Sequence, residues 1–447
     1  MTDVCLRYEE GTIRVSGTVP DSLARFDVRS ETNRTPAYQY HELRTALSES
    51  SVRVTDEVFA LPTLTLTTTY ELRPYQQEAL DAWRDAGERG VLELPTGSGK
   101  TVVAIAAIAE LETPTLVVVP TIDLVEQWQA ELEAEFGEPI GRLGGGVQQV
   151  ESLTVSTYDS AYLRADELGD QFGFVVFDEV HHLGGEGYRD IARLLAAPAR
   201  LGLTATFERP DGAHERIEEL VGPVVYRRSP DELAGEHLAS YDIKRITVSL
   251  TPDERERYDH HQGIFTDYLA QSNLTLRQGS DYQKLVKRSG TDPRAREALL
   301  AKQRAREVMM NADRKVDRLA ELLDRHRGER IIIFTAHTDL VYRLSERFLI
   351  PAITHETGAR ERRTILERFR AGDYSRVVTA NVLDEGVDVP DASVAVVLSG
   401  SGSEREFTQR LGRILRPKAD GRRALLYELV TEQTAEERVA RRRRDGG

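Results

Sequence analysis

The chain has 447 residues, 40% of them hydrophobic and 30% charged, with a formal net charge of −15 and a single cysteine, Cys5. A chain of this length predicts two or three domains, and a single cysteine excludes both intrachain disulfides and a cysteine-ligated structural zinc. The acidic balance argues against indiscriminate nucleic-acid binding and suggests a halophilic protein, because excess charge keeps a chain soluble in concentrated salt.

The first ten residues carry charges where a secretion signal needs apolar residues, and the longest apolar run, residues 102–109, is far too short to span a bilayer. We therefore expect a cytoplasmic protein with no membrane partner.

The elements predicted along the chain divide it into three parts. Residues 1–70 predict short strands around one helix, a small α+β module. Residues 71–230 predict wholly apolar strands alternating with amphipathic helices, and within residues 231–447 the same pattern returns after about residue 328. Apolar strands separated by helices are typical of a parallel sheet covered on both faces, so the fold class is α/β with two tandem parallel-sheet domains.

The segment from about residue 251 to 315 is instead helical and polar. Within residues 277–315 there are eleven Arg and Lys against five Asp and Glu, a local excess of positive charge in an acidic chain. A solvated helical face and a surface that follows phosphates both fit this pattern, and the local change of sign favours the second.

The segment LELPTGSGKT follows a predicted strand and opens a predicted helix, which is the setting of a phosphate-binding loop. Lys100 would neutralise the β- and γ-phosphate oxygens, and the hydroxyl of Thr101 would hold Mg²⁺. Leu94 stands where the usual motif has its first glycine, but the later glycines are kept. The loop residues whose backbone N–H groups would wrap the phosphates are Thr96, Gly97, Ser98, Gly99 and Lys100.

The apolar strand FVVFDE ends in two acids at the edge of a parallel sheet where ligands collect. Asp178 would orient Mg²⁺, and Glu179 would polarise the attacking water. The adjacent His181 and His182 do not have the spacing of a zinc hydrolase, so the pattern predicts an NTPase.

A larger set of segments resembles, in order and spacing, the superfamily 2 helicases, and most of all the archaeal XPB-type DNA repair helicases. This resemblance covers residues 70–430 and implies two tandem RecA-like domains that bind ATP and Mg²⁺ in the cleft between them. It also implies a damage-recognition role for the N-terminal module and a DNA-gripping thumb insertion at about 251–315. The segments are LRPYQQ, LPTGSGKT, VVVPTIDLVEQW, STYDS, FDEVHH, GLTAT, IIIFTA, TANVLDEGVDVP and QRLGRILRP.

The resemblance assigns further residues to the nucleotide. Arg73 and Gln76 would recognise adenine, and a Gln amide can donate to and accept from the adenine edge. Gly386 and Asp388 would close over the ribose and phosphates. Arg413 and Arg416, three residues apart on one helix face, would be arginine fingers.

Other residues are assigned by resemblance to coupling and to DNA. The coupling residues would be His181, Thr204, Thr206 and Gln409, and the strand contacts would be Thr121, Thr157, Arg209 and Thr379. Family members carry an Arg-Glu-Asp motif where this chain has Arg209, Pro210 and Asp211. Proline stiffens the loop and replaces one charge, which puts strand separation by this loop in question.

The resemblance therefore implies an ATP-dependent DNA helicase or translocase, moving 3′ to 5′ on single-stranded and forked DNA, that acts in nucleotide excision repair with a nuclease partner. Two alternatives remain. One is an RNA-dependent ATPase of the same superfamily, and the other is an ATP-gated clamp that wedges damaged DNA open and recruits a nuclease without processive unwinding.

Overall fold

The computed structural model describes residues 3–17, 19, 23–28, 30–50, 52–95, 97–185, 187–207, 212, 214–233, 241–272, 279–380, 392–399 and 424–437. These form two compact units, one ending at Leu233 and the other beginning, among the described residues, at Tyr241.

The first unit begins with a small sheet in the strand order β3-β4-β2-β1-β5. Strand β1 runs antiparallel to β2 and parallel to β5. Apolar residues alternate along β1 and β2 and pack on α1, which gives the module its own core. Its elements are β1 (Asp3–Glu9), β2 (Thr12–Ser16), β3 (Arg25–Asp27), β4 (Thr32–Pro36), α1 (Tyr40–Ser48) and β5 (Arg53–Asp56).

A second sheet follows, in the order β13-β6-β12-β11-β7-β10-β8-β9, parallel except for the β8–β9 pair. Strands β7, β11 and β12 are buried along their whole length, which explains their unbroken apolar sequences. The elements are α2 (Pro74–Asp85), β6 (Arg89–Glu93), α3 (Lys100–Leu111), β7 (Thr115–Val119), α4 (Ile122–Phe136), β8 (Ile140–Gly144), β9 (Val147–Gln149), β10 (Leu153–Thr157), α5 (Tyr158–Leu163), β11 (Phe174–Asp178), α6 (Arg189–Leu194), β12 (Ala199–Thr204), α7 (His214–Leu220), β13 (Val224–Arg227) and α8 (Pro230–Leu233).

The small sheet is joined to the second sheet's helices within the same compact unit. The hydroxyl of Tyr8 donates to the carbonyl oxygen of Leu194 at 3.0 Å, and that of Tyr38 donates to Glu219 at 2.9 Å. Gly169 lies so close to the Tyr8 hydroxyl that a Cβ would stand 1.7 Å from it. The predicted limit of the module at residue 70 therefore remains a prediction, because these contacts join the module to the core that follows.

The second unit contains a parallel sheet in the order β14-β19-β18-β15-β17-β16. Helix α12 packs on this sheet. Helices α9, α10 and α11 share one small hydrophobic cluster, and a second cluster joins α9 and α11 to Ala336 and Ala435 beside the sheet. The elements are β14 (Tyr241–Val248), α9 (Pro252–Ser272), α10 (Gly279–Ser289), α11 (Pro293–Met310), α12 (Asp313–Arg325), β15 (Ile331–Thr335), α13 (Thr338–Phe348), β16 (Ala352–Ile353), α14 (Ala359–Ala371), β17 (Arg376–Ala380), β18 (Val394–Val397) and β19 (Ala424–Thr431).

The helical segment lies where the sequence predicts it, but one of its counted cations is not on a surface. Lys315 is fully buried, and its ammonium donates to the carbonyl oxygen of Leu398 at 2.6 Å and to Glu436 at 2.7 Å. Burial lowers the pKa of Lys315. Lys315 therefore ties α12 to the sheet, and the basic surface of the insertion ends before it. In the part of the chain that the structure describes, no helix has the length and apolar character needed to cross a bilayer.

Candidate nucleotide site

The carboxyl ends of β6, β11 and β12 lie at the same edge of the second sheet, since the three strands are parallel and β12 pairs with both others. This edge carries the phosphate loop after β6, Asp178 and Glu179 after β11, and Thr204 at the end of β12. Three segments separated by some 25 to 85 positions in the sequence thus form one site.

The phosphate loop has the backbone that close approach to an anion requires. Gly97 and Gly99 have φ angles of 80° and 79°, which residues with a Cβ rarely adopt, and Gly99 immediately precedes helix α3. The ammonium of Lys100 donates to the carbonyl oxygens of Leu94 and Pro95 at 3.0 and 3.3 Å. The lysine therefore lies folded over its own loop.

Gln76 supports the same loop from helix α2. Its side-chain oxygen accepts from the backbone N–H of Arg73 at 2.9 Å, and its amide nitrogen donates to the carbonyl oxygen of Ser98 at 2.8 Å. A Cβ on Gly99 would stand 2.4 Å from that nitrogen. Both ends of the Gln76 amide thus contact the chain itself, and adenine recognition by Arg73 and Gln76 remains a prediction.

Asp178 is held by two hydrogen bonds. One carboxylate oxygen accepts from the indole nitrogen of Trp128 and the other from the backbone N–H of Glu179, at 2.9 and 3.0 Å. Burial, and then the nearby charge of Glu179, raise the pKa of Asp178 to about 6, while the Trp128 hydrogen bond and the Lys100 charge act in the opposite direction. A cation bound beside this carboxylate would therefore stabilise its charged form.

Glu179 has a left-handed backbone, with φ 49° and ψ 53°, and is almost fully buried. Its carboxylate lies 3.3 Å from the Nδ1 atom of His181, which lies 3.3 Å from the hydroxyl of Thr204. That hydroxyl in turn donates to the carbonyl oxygen of Thr206 at 2.9 Å. The predicted base and the predicted coupling residues on this unit therefore form one chain of contacts.

The residues present fit a nucleotide with Mg²⁺. Asp178 and Thr101 offer the oxygen ligands that Mg²⁺ prefers, and the Ser98 hydroxyl is buried without a hydrogen-bond partner among the described residues. His182, for which the sequence indicates no catalytic part, packs its ring 5.7 Å from that of Tyr158.

Two residues of this site are missed by sequence reasoning. Trp128 and Tyr158 are each 1% exposed, and the Tyr158 hydroxyl donates to the carbonyl oxygen of Asp178 at 3.1 Å. Both lie inside segments that resemble the helicase family, but an aromatic residue in an amphipathic helix is typical of core packing. No local signal indicates its contact with the acids.

The threonines predicted to contact a strand have local structural roles. The hydroxyl of Thr121 accepts from the Leu124 N–H at the start of α4, and that of Thr157 accepts from the Ser160 N–H at the start of α5. Thr379 is fully buried and donates to the carbonyl oxygen of Ala380. In this structure the Thr379 side chain is buried and offers no surface to a strand, and the strand contacts of Thr121 and Thr157 remain predictions.

Several predicted residues lie outside the described part of the chain, and their roles remain predictions. They are Thr96, Arg209, Gly386, Asp388, Gln409, Arg413 and Arg416.

Three family profiles match the chain. Residues 6–58 match the Xeroderma pigmentosum group B helicase damage recognition domain. Residues 69–209 match the type III restriction enzyme res subunit, and residues 295–445 match the ERCC3/RAD25/XPB C-terminal helicase.

The chain is similar along its whole length to the DNA 3'-5' translocase XPB2 of Sulfurisphaera tokodaii, with 45% identity over 443 residues that cover 99% of this chain and 100% of the relative. The putative DNA 3'-5' helicase Rad25 of Halobacterium salinarum is 34% identical over 83% of this chain and 56% of its own length. The DNA 3'-5' helicase XPB of Mycobacterium tuberculosis is 30% identical over 84% of this chain and 63% of its own length.

Among solved structures, the helicase domain of Pyrococcus furiosus Hef superposes with a TM-score of 0.53 at 20% identity, over 83% of this chain and 98% of that one. This likeness concerns the fold alone. It confirms the predicted α/β class with two tandem RecA-like domains.

Proposed function

The chain belongs to the XPB family of superfamily 2 helicases, and on that premise we propose that it is an ATP-dependent 3′-to-5′ DNA translocase that acts in DNA repair. The single observation that carries the proposal is the meeting of the phosphate loop, the Asp178–Glu179 pair and Thr204 at one sheet edge in a chain 45% identical to a DNA 3'-5' translocase over its full length.

The residues divide the hydrolytic work by their chemistry. Lys100 neutralises phosphate oxygens, and Glu179 accepts a proton from the attacking water. Asp178 and Thr101 would hold Mg²⁺, which supplies charge neutralisation at the phosphates when bound. Arg413 and Arg416 are proposed to complete the site by stabilising the charge of the transition state.

The coupling to DNA is proposed to pass through His181 and Thr204, whose side chains are in contact. Contacts to the strand from short hydroxyl groups and backbone N–H groups hold phosphates and carry no sequence information, which suits a motor that must step along any sequence. We further propose a cytoplasmic location, a role in nucleotide excision repair and a nuclease partner.

The proposal is tested by measuring ATP hydrolysis against single-stranded DNA, duplex, forked DNA and RNA. We expect DNA, and not RNA, to stimulate hydrolysis in the wild type. In the Glu179→Gln variant we expect neither nucleic acid to stimulate hydrolysis. Stimulation by RNA alone would overturn the DNA assignment.

Direction and unwinding need separate assays. Displacement of streptavidin from a biotin at the 5′ end of an oligonucleotide, and not at the 3′ end, is the result expected of 3′-to-5′ movement. Forked duplexes of increasing length then measure unwinding. Hydrolysis without streptavidin displacement, and with strand separation limited to a few base pairs, would favour the clamp instead of the translocase.

A further inference from the structure

Two buried aromatic residues reach the acid pair from two different helices. Trp128 on α4 donates its indole N–H to the side chain of Asp178, and Tyr158 on α5 donates its hydroxyl to the Asp178 carbonyl oxygen. The same hydroxyl lies 3.5 Å from the carbonyl oxygen of Glu179. Trp128 thus holds the carboxylate of Asp178, and Tyr158 holds the backbone at the carbonyl groups of Asp178 and Glu179.

Each of these helices begins at a threonine that is proposed to contact a DNA strand. Thr121 caps α4, and Trp128 follows it by about two helical turns. Thr157 caps α5, and Tyr158 is the next residue. Each helix therefore has one end at the proposed strand surface and an aromatic side chain at the catalytic acids.

The backbone of Glu179 makes the site sensitive to such contacts. A left-handed conformation costs a residue with a side chain roughly 1–2 kcal/mol, so it persists only where neighbouring groups enforce it. Tyr158 is well placed to enforce it, because its ring is packed between those of His182 and Tyr188 at centroid distances of 5.7 and 5.5 Å. Burial raises the pKa of Tyr158 well above its ordinary value, so the hydroxyl keeps its proton and donates.

We propose that Trp128 and Tyr158 are positioning residues that transmit strand binding at the starts of α4 and α5 to Asp178 and Glu179. The inference rests on the proposed function, since it explains how DNA stimulates hydrolysis. A phosphate bound at Thr121 or Thr157 shifts the start of its helix, and a rigid, fully packed aromatic side chain passes that shift to the acids.

The first test compares DNA stimulation, the ratio of turnover with and without single-stranded DNA, in Tyr158→Phe and Trp128→Phe. Each substitution removes one hydrogen-bond donor and keeps an aromatic ring. We expect the ratio to fall about five- to tenfold, the effect of one hydrogen bond, while the KM for ATP and the affinity for DNA stay within about twofold. Unchanged stimulation in Tyr158→Phe would overturn the inference, and this nearly isosteric variant decides the matter if Trp128→Phe does not fold.

Matched controls exist for both substitutions. Tyr162 lies on the same helix as Tyr158 and is 41% exposed. Trp83 is also buried and donates its indole N–H to the carbonyl oxygen of Arg200 at 2.9 Å, away from the acids. Tyr162→Phe and Trp83→Phe should keep wild-type stimulation, and a loss in these controls as large as in the test variants would assign the effect to packing and overturn the inference.

A spectroscopic test needs no hydrolysis. The chain has two tryptophans, so Trp83→Phe leaves Trp128 as the sole source of indole fluorescence. Adding a DNA oligonucleotide without nucleotide should change the Trp128 emission in step with binding measured by anisotropy. Binding with no change in emission would contradict transmission through α4.

The two levels of inference fail differently. If the wild type hydrolyses ATP but no DNA stimulates it, the proposed function itself is wrong. If DNA stimulates the wild type and stimulates Tyr158→Phe and Trp128→Phe to the same extent as the wild type, only the transmission through Trp128 and Tyr158 is wrong.

Discussion

At the scale of single residues, the site is organised around two adjacent acids with unlike surroundings. Asp178 is bonded at both oxygens and sits beside the charge of Lys100, as expected of a residue that receives a metal. Glu179 is turned by its left-handed backbone toward His181. The different directions of the two side chains explain how neighbours in sequence can take separate chemical roles.

We expect Lys100→Ala to lower ATP turnover on the order of 10²-fold or more, because one preorganised donor to phosphate charge is lost.

Glu179→Gln should lower ATP turnover by a similar or larger factor, on the order of 10² to 10⁴, while nucleotide binding is retained, because a neutral amide cannot take the proton. Turnover and fluorescent-nucleotide binding measure the two effects.

The control is Glu112→Gln, the same substitution at another left-handed glutamate, which ends α3 on an exposed surface. Brisk hydrolysis in Lys100→Ala or Glu179→Gln, or a loss in Glu112→Gln, would refute the assignment.

The pKa of Asp178 predicts a pH dependence of stability in the metal-free protein. The folded-state pKa of about 6 lies above the ordinary 3.8, so the folded chain binds this proton more tightly than the unfolded chain. The contribution of Asp178 to the free energy of unfolding is therefore most favourable below about pH 4, and it falls by on the order of 3 kcal/mol as the pH rises through about 6.

The change in melting temperature caused by Asp178→Asn should accordingly be more favourable by roughly 5 °C at about pH 7.5 than near pH 4, while the loss of one acceptor oxygen lowers stability at both pH values. Differential scanning calorimetry without Mg²⁺ measures both values. The exposed Asp85→Asn is the control, and an equal effect of Asp178→Asn at the two pH values would contradict the prediction.

At the scale of elements, the helices α9 to α11 pack on one another through a small hydrophobic cluster. A second cluster and the hydrogen bond from Thr431 of β19 to the carbonyl oxygen of Met309 join α9 and α11 to the sheet of their unit. The exposed faces of α9 to α11 carry the positive charge that the sequence indicates, on residues such as Lys284 and Lys287 of α10. A helical insertion with a basic surface is suited to following phosphates.

If these lysines contact DNA, Lys284→Gln with Lys287→Gln should weaken binding and reduce the magnitude of the slope of log affinity against log salt by roughly two, because each contact releases about one counterion. Fluorescence anisotropy over a range of salt concentrations gives the slope. Arg343→Gln with Arg347→Gln on α13 is the control with the same charge change, since these arginines already pair with Asp313 and Asp317. Equal slopes for both double variants would contradict the assignment.

The buried pair Lys315–Glu436 fixes helix α12 to the segment after β19. Lys315→Ala should lower the free energy of unfolding of the second unit by about 3 kcal/mol or more, because it leaves a nearly buried carboxylate without its partner. Removing both charges, in Lys315→Met with Glu436→Gln, should cost less than Lys315→Ala alone. Urea unfolding measures these differences, with the exposed Lys284→Ala as control, and a cost for Lys315→Ala no larger than that of the control would refute the pairing.

At the scale of the whole molecule, acidic residues outnumber basic residues, although residues 277–315 carry a local excess of positive charge. We expect the protein to remain soluble and folded in molar KCl, because screening weakens the repulsion that its surface carboxylates otherwise exert on one another. Light scattering and circular dichroism test this, and precipitation in molar salt would exclude a halophilic chain. Because phosphate contacts weaken as salt rises, DNA stimulation that persists there would require stacking or hydrogen bonds to carry more of the affinity.

The sequence by itself determined the two parallel sheets, and it predicted the glycine-rich loop and the two acids that the structure brings to one sheet edge. Wholly apolar strands separated by helices are compatible with few folds other than a parallel sheet covered on both faces. A glycine-rich loop followed by a lysine at the start of a helix is a local pattern suited to binding phosphate. The sequence also indicated the basic helical segment, although it counted Lys315 as a surface residue, because the neighbouring sequence does not indicate that a lysine is buried.

Only the tertiary structure decided which side chains hold the acids in place. The contacts of Trp128, Tyr158 and Thr204 join residues 20 to 50 positions apart, across parallel strands whose order in the sheet differs from their order in the chain. Such neighbours follow from strand order and helix packing, which a local pattern does not encode. An aromatic residue in a helix has the same sequence pattern whether it fills a core or donates to a catalytic carboxylate.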